Sequence, residues 1–234
     1  VIVVSPDYYG RVKNIEYIAK KCHDAKVPLL VDEAHGAHFT ADDRFPESAV
    51  ELGADMVCQS AHKTLNALTG AAYLHVMGDR VDLKRVKRAL SAFQSSSPPY
   101  PVAASADTAR AALSEISYDD IIKECSEFKK AIANTTKIKA LANDDETRIV
   151  LCFREYETTG FEIDRLLSER YGIDVEMADH MNIVLIATPW NEHRDFMALF
   201  RALHDICDGL NGREKEIKVK LPPPHSGVLS PSSA

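Results

Sequence analysis

Three short apolar runs, at residues 1–4, 28–31 and 56–58, limit the folds open to this chain more than anything else in it. Between the first two, Ile15, Ile18, Ala19 and Cys22 recur at helical spacing within 14–23. A shorter helix is expected over 47–52, ahead of the third run. Strand and helix in alternation predict a parallel sheet with right-handed crossovers, since parallel neighbours need a long connection across one face. A fourth run at 71–76 follows after only about a dozen residues, marginal for a helical crossover, so it is expected to run antiparallel.

The rhythm then changes. Residues 79–94 predict an amphipathic helix with Val81, Val86, Leu90 and Phe93 among its apolar positions, and Arg80, Lys84, Arg85, Lys87 and Arg88 on its polar side. The Ser and Pro residues of 95–101 end it, and helices over 103–116 and 118–134 lead away from the sheet. Strands at 148–153, 175–178 and 182–187 and helices at 160–171 and 191–210 describe a smaller unit, and the Pro- and Ser-rich stretch 221–234 a linker or tail. The expected class is α/β: a mostly parallel sheet with helices on both faces and one antiparallel strand over 1–112, plus a smaller α+β domain over 113–220.

Charge narrows the function. A net charge of -7 argues against a general nucleic-acid or anionic-membrane binder, so the basic face of 79–94 reads as a solvated helix surface. The five cysteines, Cys22, Cys58, Cys125, Cys152 and Cys207, form no CxxC pair and suggest reduced thiols in the cytoplasm. No apolar run approaches the roughly eighteen residues of a membrane span. Because strand character begins at Val1, the chain is expected to be the latter part of a longer protein.

Ligand chemistry in open α/β sheets gathers outside the carboxyl ends of the strands. There the sequence places Val31-Asp-Glu-Ala-His-Gly36 after one run and Gln59-Ser-Ala-His-Lys-Thr-Leu65 after the next. Asp32 can pair with a pyridinium nitrogen, Lys63 can form a Schiff base with an aldehyde, and Ser60 and His62 can donate to a phosphate. Together these are the needs of pyridoxal 5'-phosphate. A charge-assisted hydrogen bond of roughly 1.5–3 kcal/mol from Asp32 would keep the ring nitrogen protonated. His35 is read as a residue that bonds the cofactor or orients Asp32. With His38 it makes an HxxH pair, but the interrupting Gly36 is unlike the helical HExxH metal site, and no metal is expected. Thr64, Thr69 and the serines Ser95 and Ser97 are weaker candidates for the phosphate.

Ser5-Pro-Asp-Tyr-Tyr-Gly10, Val31-Asp-Glu-Ala-His-Gly-Ala-His38, Gln59-Ser-Ala-His-Lys-Thr-Leu65, Ser97-Pro-Pro-Tyr-Pro101 and Ala104-Ser-Ala-Asp107 occur in order. Together they resemble the major domain of the Orn/Lys/Arg decarboxylase family, with Gly172-Ile-Asp-Val-Glu176 and Ser230-Pro231 as looser matches. The resemblance implies a fold-type-I, aspartate-aminotransferase-like enzyme that binds pyridoxal phosphate and removes the α-carboxylate of ornithine, lysine or arginine, giving a polyamine or its precursor. It implies that Lys63 carries the Schiff base, that Asp32 meets the pyridinium, that Ser60 and His62 contact the phosphate and that His35 lies near the ring's phenolic oxygen. It also implies a homodimer or higher homo-oligomer. Asn66 and Gly70 depart from the family pattern, where proline and glutamine are expected. Members carry an upstream segment with a further phosphate loop and a stacking residue, and a further C-terminal domain; this chain is read as a fragment whose activity in isolation is not assured. The alternatives are another fold-type-I activity (aminotransferase or carbon–sulfur lyase) or a non-catalytic remnant that acts by association.

Overall fold

The computed structural model describes residues 1–95 and 97–210. Ser96, the end of the second unit from 211, the tail at 221–234 and the Ser230-Pro231 pair lie outside the described residues.

The first sheet has strands β1 (Ile2–Val4), β2 (Leu30–Asp32), β3 (Met56–Gln59) and β4 (Tyr73–Val76), side by side in that order. β1, β2 and β3 are parallel, with Val3, Val31 and Val57 in register, and β4 runs antiparallel to β3, as its short connection requires. Helix α1 (Ile15–Asp24) begins where the Asn14 side chain accepts from the Tyr17 N–H at 3.1 Å. It lays Ile15, Ala19 and Cys22 against Leu29, Val31 and Val57. Each such fully buried aliphatic side chain contributes about 1.5–3 kcal/mol.

Two expectations are corrected here. Residues 47–52 form hydrogen-bonded turns, not a helix: the Glu51 and Leu52 amides both reach the Ser48 carbonyl, at 2.9 and 3.1 Å. Pro46 and Gly53 (φ +86°) leave room for little more than a turn, and the Glu33 carboxylate draws in the Ser48 hydroxyl and the Ala49 N–H. The basic helix starts later than residue 79: α3 spans Leu83–Phe93, because Gly78 (φ +63°) turns the chain and Asp82 caps it by accepting from the Lys84 N–H at 2.8 Å.

The one-turn helix α2 (Ala61–Thr64) follows β3 directly. Helix α4 (Tyr100–Ala112) begins earlier than the expected 103, since Pro101 suits a first turn whose N–H groups have no partner. It braces the chain that follows α2: the Leu68 N–H reaches the Ser105 hydroxyl at 3.0 Å, and the Tyr73 hydroxyl on β4 donates to the Ala106 carbonyl at 2.6 Å.

After α5 (Asp119–Thr135) comes an antiparallel sheet of β5 (Lys139–Ala140), β6 (Arg148–Cys152), β7 (Met177–Ala178) and β8 (Asn182–Ile186), in the order β5-β6-β8-β7. The two-residue β5 carries too little pattern to be foreseen. Helices α6 (Gly160–Tyr171) and α7 (His193–Asp208) cover this sheet, burying Ile163, Leu167 and Leu203 with Ile149, Leu151 and Ile183. Phe39 and Phe45, from the segment after β2, join the same core, so the two sheets share apolar packing.

The loop after β1 makes the polar seam between them. The Gly10 carbonyl accepts from the Asp144 and Asp145 amides at 2.9 and 3.1 Å, and Asn143 donates to the Tyr9 carbonyl at 3.0 Å. The Tyr9 hydroxyl donates to Asp179. Gly10 sits at φ +78°, and a Cβ there would stand 2.9 Å from the Arg148 Cβ, so this crossing needs glycine on both counts.

Candidate active site

β2 ends on Asp32, and the residues after it turn sharply, the Gly36 N–H reaching the Glu33 carbonyl at 2.9 Å. Neighbouring side chains on this strand end point opposite ways. Asp32 is exposed; Oδ1 accepts from the Ala34 N–H at 3.1 Å, which leaves Oδ2 open among the described residues. Glu33 is buried and accepts from the Ser48 hydroxyl at 2.7 Å, the Ala49 N–H at 2.7 Å and the Gln59 amide at 2.6 Å. Burial pushes the Glu33 carboxyl up, while those three donors restrain it. His75 on β4 bonds the Gln59 oxygen at 2.9 Å, so the Glu33–Gln59–His75 chain holds together the ends of β2 and β3 beneath the site.

His35 is 4% exposed and lies at the centre. The Tyr8 ring stands 4.5 Å from it, tilted by 57°. Its Nε2 is 3.2 Å from the Lys63 Nζ, and its Nδ1 is 3.4 Å from a guanidinium nitrogen of Arg148. Burial first, and then the charges of Arg148 and Lys63, lower its pKa to about 4 against the opposing pull of Asp32 and Asp145. His35 is therefore neutral at pH 7. Asp32 and Lys63 both stand close enough to act on its charge.

Lys63 is half-buried on α2, with Nζ 5.8 Å from the centre of the Tyr8 ring. Ser60 is extended ahead of α2, and its hydroxyl does not cap the helix. The His62 Nδ1 donates to the Ala71 carbonyl at 2.9 Å, and its Nε2 has no partner among the described residues. His35 and Lys63 thus come into contact, Asp32 ends the neighbouring strand, and Ser60 and His62 flank the lysine in sequence, with the Ser60 hydroxyl and the His62 Nε2 without partners among the described residues. Thr64 is buried with its hydroxyl unpartnered. Ser95 and Ser97 bond one another at exposed positions.

The HxxH pair diverges. His38 bonds the Asp145 Oδ1 at 3.4 Å and packs edge-on against Phe39 and Phe45, with ring centres at 5.0 and 4.6 Å. Among the described residues no three His, Cys, Asp or Glu side chains gather as a cation site.

Arg148 and Asp145 were not foreseen as part of this site. Both are fully buried, 3.8 Å apart. Burial raises the Asp145 carboxyl, but His38, Arg148 and Thr147 outweigh it and hold the pKa at about 2. The available signal was a charged residue heading the apolar run Arg148-Ile-Val-Leu-Cys152, since an arginine in a covered strand needs a partner.

The fold and these residues define a class: an α/β protein with a carboxylate ending one parallel strand and, on the short helix after the next strand, a primary amine 3.2 Å from a buried imidazole. The chain belongs to the Orn/Lys/Arg decarboxylase family, whose major domain matches residues 1–153. It is 34% identical to the uncharacterized protein YaaO of Bacillus subtilis, over 88% of this chain and 45% of that protein. It is 30% identical to an arginine decarboxylase of Bacillus cereus, over 98% of this chain and 53% of that protein. The chain therefore spans about half the length of these curated relatives. The constitutive lysine decarboxylase of E. coli shares the fold at a TM-score of 0.73 and 19% identity, over 88% of this chain and 36% of that one.

Proposed function

We propose that this chain contributes the amine- and carboxylate-bearing part of a pyridoxal-phosphate site that decarboxylates a basic amino acid, ornithine, lysine or arginine. The observation that carries the reading is the Lys63 amine 3.2 Å from neutral, buried His35, with the exposed carboxylate of Asp32 at the end of the neighbouring strand. The donor set fits the cofactor: an amine for its aldehyde, a carboxylate oxygen left open for its ring nitrogen, and the Ser60 hydroxyl for its phosphate. Bound pyridoxal phosphate supplies an electron sink for the charge left at the substrate Cα when the carboxylate departs.

The protein's own residues prepare for that chemistry. Lys63 supplies the primary amine as nucleophile. Asp32 holds a proton on the ring nitrogen with its free oxygen. His35 stays uncharged at pH 7 and adds no second cation beside Lys63. Its burial and the Tyr8 ring keep water from one side of the amine. Assembly as a homodimer or higher homo-oligomer and a cytoplasmic location belong to the same proposal, with five free cysteines as support for the latter. No helix among the described residues is long and apolar enough to cross a membrane.

The test is a titration of the protein with pyridoxal phosphate, followed by absorption. A visible band is expected, and Lys63→Ala is expected to abolish it; an unchanged band in that variant overturns the role of Lys63. Asp32→Asn is expected to keep the band but slow carbon dioxide release about 10- to 100-fold, the kinetic equivalent of a lost charged hydrogen bond. Keto acid or sulfide as product, in place of carbon dioxide and a diamine, assigns a different reaction. A second reading, association without catalysis, draws on the edge strand β1, where Ile2 is 76% and Val4 53% exposed. It predicts tight binding to another polypeptide and no cofactor uptake.

A further inference from the structure

We propose that α3 is a docking surface for a second copy of this chain, the two helices packing antiparallel along their apolar stripes about a two-fold axis. Leu83, Val86, Leu90 and Phe93 follow one another at steps of three, four and three residues. At about 100° per residue they fall within about 80° of one side of the helix, as in the seam of a coiled coil. None of the four is buried: Leu83 is 50% and Phe93 91% exposed, and none joins an apolar core among the described residues. An amphipathic helix draws most of its stability from burying such a stripe, so this one calls for a partner.

The stripe is its own complement. Turned about a two-fold axis through its midpoint, it sets Leu83 against Phe93 of the second copy and Val86 against Leu90, so every seam position meets an apolar side chain. Helical spacing sends Lys84, Arg85 and Arg88 to the far side; Lys87 flanks the seam along one margin and the small Ala89 along the other. At roughly 60–120 Å² for each buried side chain, the eight seam residues of two copies cover about 500–1,000 Å². That is the low end for a specific complex, so the dimer is reversible. Two chains of net charge -7, with Lys87 facing Lys87 across the axis, repel one another, and added salt tightens the pair. An acidic partner or an anionic lipid surface would instead be held by the basic side of α3 and released by salt. The inference names a surface for the homo-oligomer proposed above and rests on that part of the reading, not on the roles of Lys63 and Asp32.

Sedimentation velocity of the full chain over a concentration series, without pyridoxal phosphate, tests it. A monomer–dimer equilibrium that tightens with salt is expected. Phe93→Asp and Leu90→Asp are each expected to weaken it by about tenfold or more. Phe93 is almost fully exposed, so its replacement leaves the fold intact, which circular dichroism checks. Arg88→Gln, on the far side of the helix, is expected to leave the dimer nearly unchanged. Ala89→Glu places like charges against each other across an antiparallel pair and is expected to weaken it; strengthening would mean parallel helices and overturn the residue pairing. A monomer at every concentration overturns this surface and the homo-oligomer together, whereas a dimer that Phe93→Asp leaves intact overturns this surface alone. Salt-released binding to vesicles of anionic phospholipid, in place of a second copy, also overturns it. None of these outcomes depends on the Lys63 band.

Discussion

Replacing His35 with glutamine keeps hydrogen-bonding groups on the loop after β2 but removes the capacity to take up a proton there. The folded protein holds this imidazole neutral down to about pH 4, whereas the unfolded chain protonates it near the ordinary 6.5. Between those values the unfolded state binds more protons. The contribution of His35 to stability is therefore complete above about pH 6.5 and falls as the pH drops toward 4. The loss is on the order of 2–3 kcal/mol. Urea midpoints measured from pH 7 to 4 are expected to fall less steeply in His35→Gln than in wild type; parallel curves would contradict the assignment. At this scale Asp32, His35 and Lys63 were legible because each lies in a contiguous motif at a strand end. Arg148 was not, since its contact with His35 spans 113 residues and depends on how two sheets dock.

Among the elements, α6 was the easiest to read, because both of its ends are written in the sequence. The Thr159 hydroxyl accepts from the Glu162 N–H at 3.2 Å, and Gly172 closes the helix at φ +64°. Its first residue carries a constraint the sequence does not announce. A Cβ on Gly160 would stand 2.1 Å from the Asn182 carbonyl oxygen and 2.4 Å from that of Asp179, both backbone atoms. Gly160→Ala is expected to destabilise by about 3 kcal/mol or more, since neither carbonyl can yield without moving β8. Thr159→Ala, which loses only the cap, is expected to cost about 1 kcal/mol. Denaturant unfolding of the pair tests the ordering; a mild Gly160→Ala would show that the turn before β8 gives way readily. The segment 47–52 misled because its apolar spacing fits one helical turn, while the Glu33 carboxylate that organises it lies elsewhere in the sequence.

For the whole molecule, the alternation of strand and helix gives away the first sheet, and the later change of rhythm gives away the second. Neither reveals what joins them. The Tyr9 hydroxyl reaches Asp179 across 170 residues of sequence. Burial first, and then the bond and charge of Asp179, push the Tyr9 hydroxyl pKa up to about 12. Tyr9→Phe leaves Asp179 its bonds from the Met181 and Asn182 amides and the Asn182 side chain. It is expected to lower stability by about 1–2 kcal/mol. In a chain of this size that is a fall of several degrees, roughly 2–4 °C per kcal/mol, in the thermal midpoint. An unmoved midpoint would mean that the seam is held by apolar contact alone.

Gly10 acts as a gauge on that seam. With only hydrogens on its α-carbon, the loop after β1 rests against the Arg148 side chain with no shim between them. A methyl group inserted there would wedge the halves apart, and the guanidinium would drift off the imidazole it touches. Mechanical fit and chemical tuning thus fall on the same few atoms, and a change made for one purpose is felt by the other.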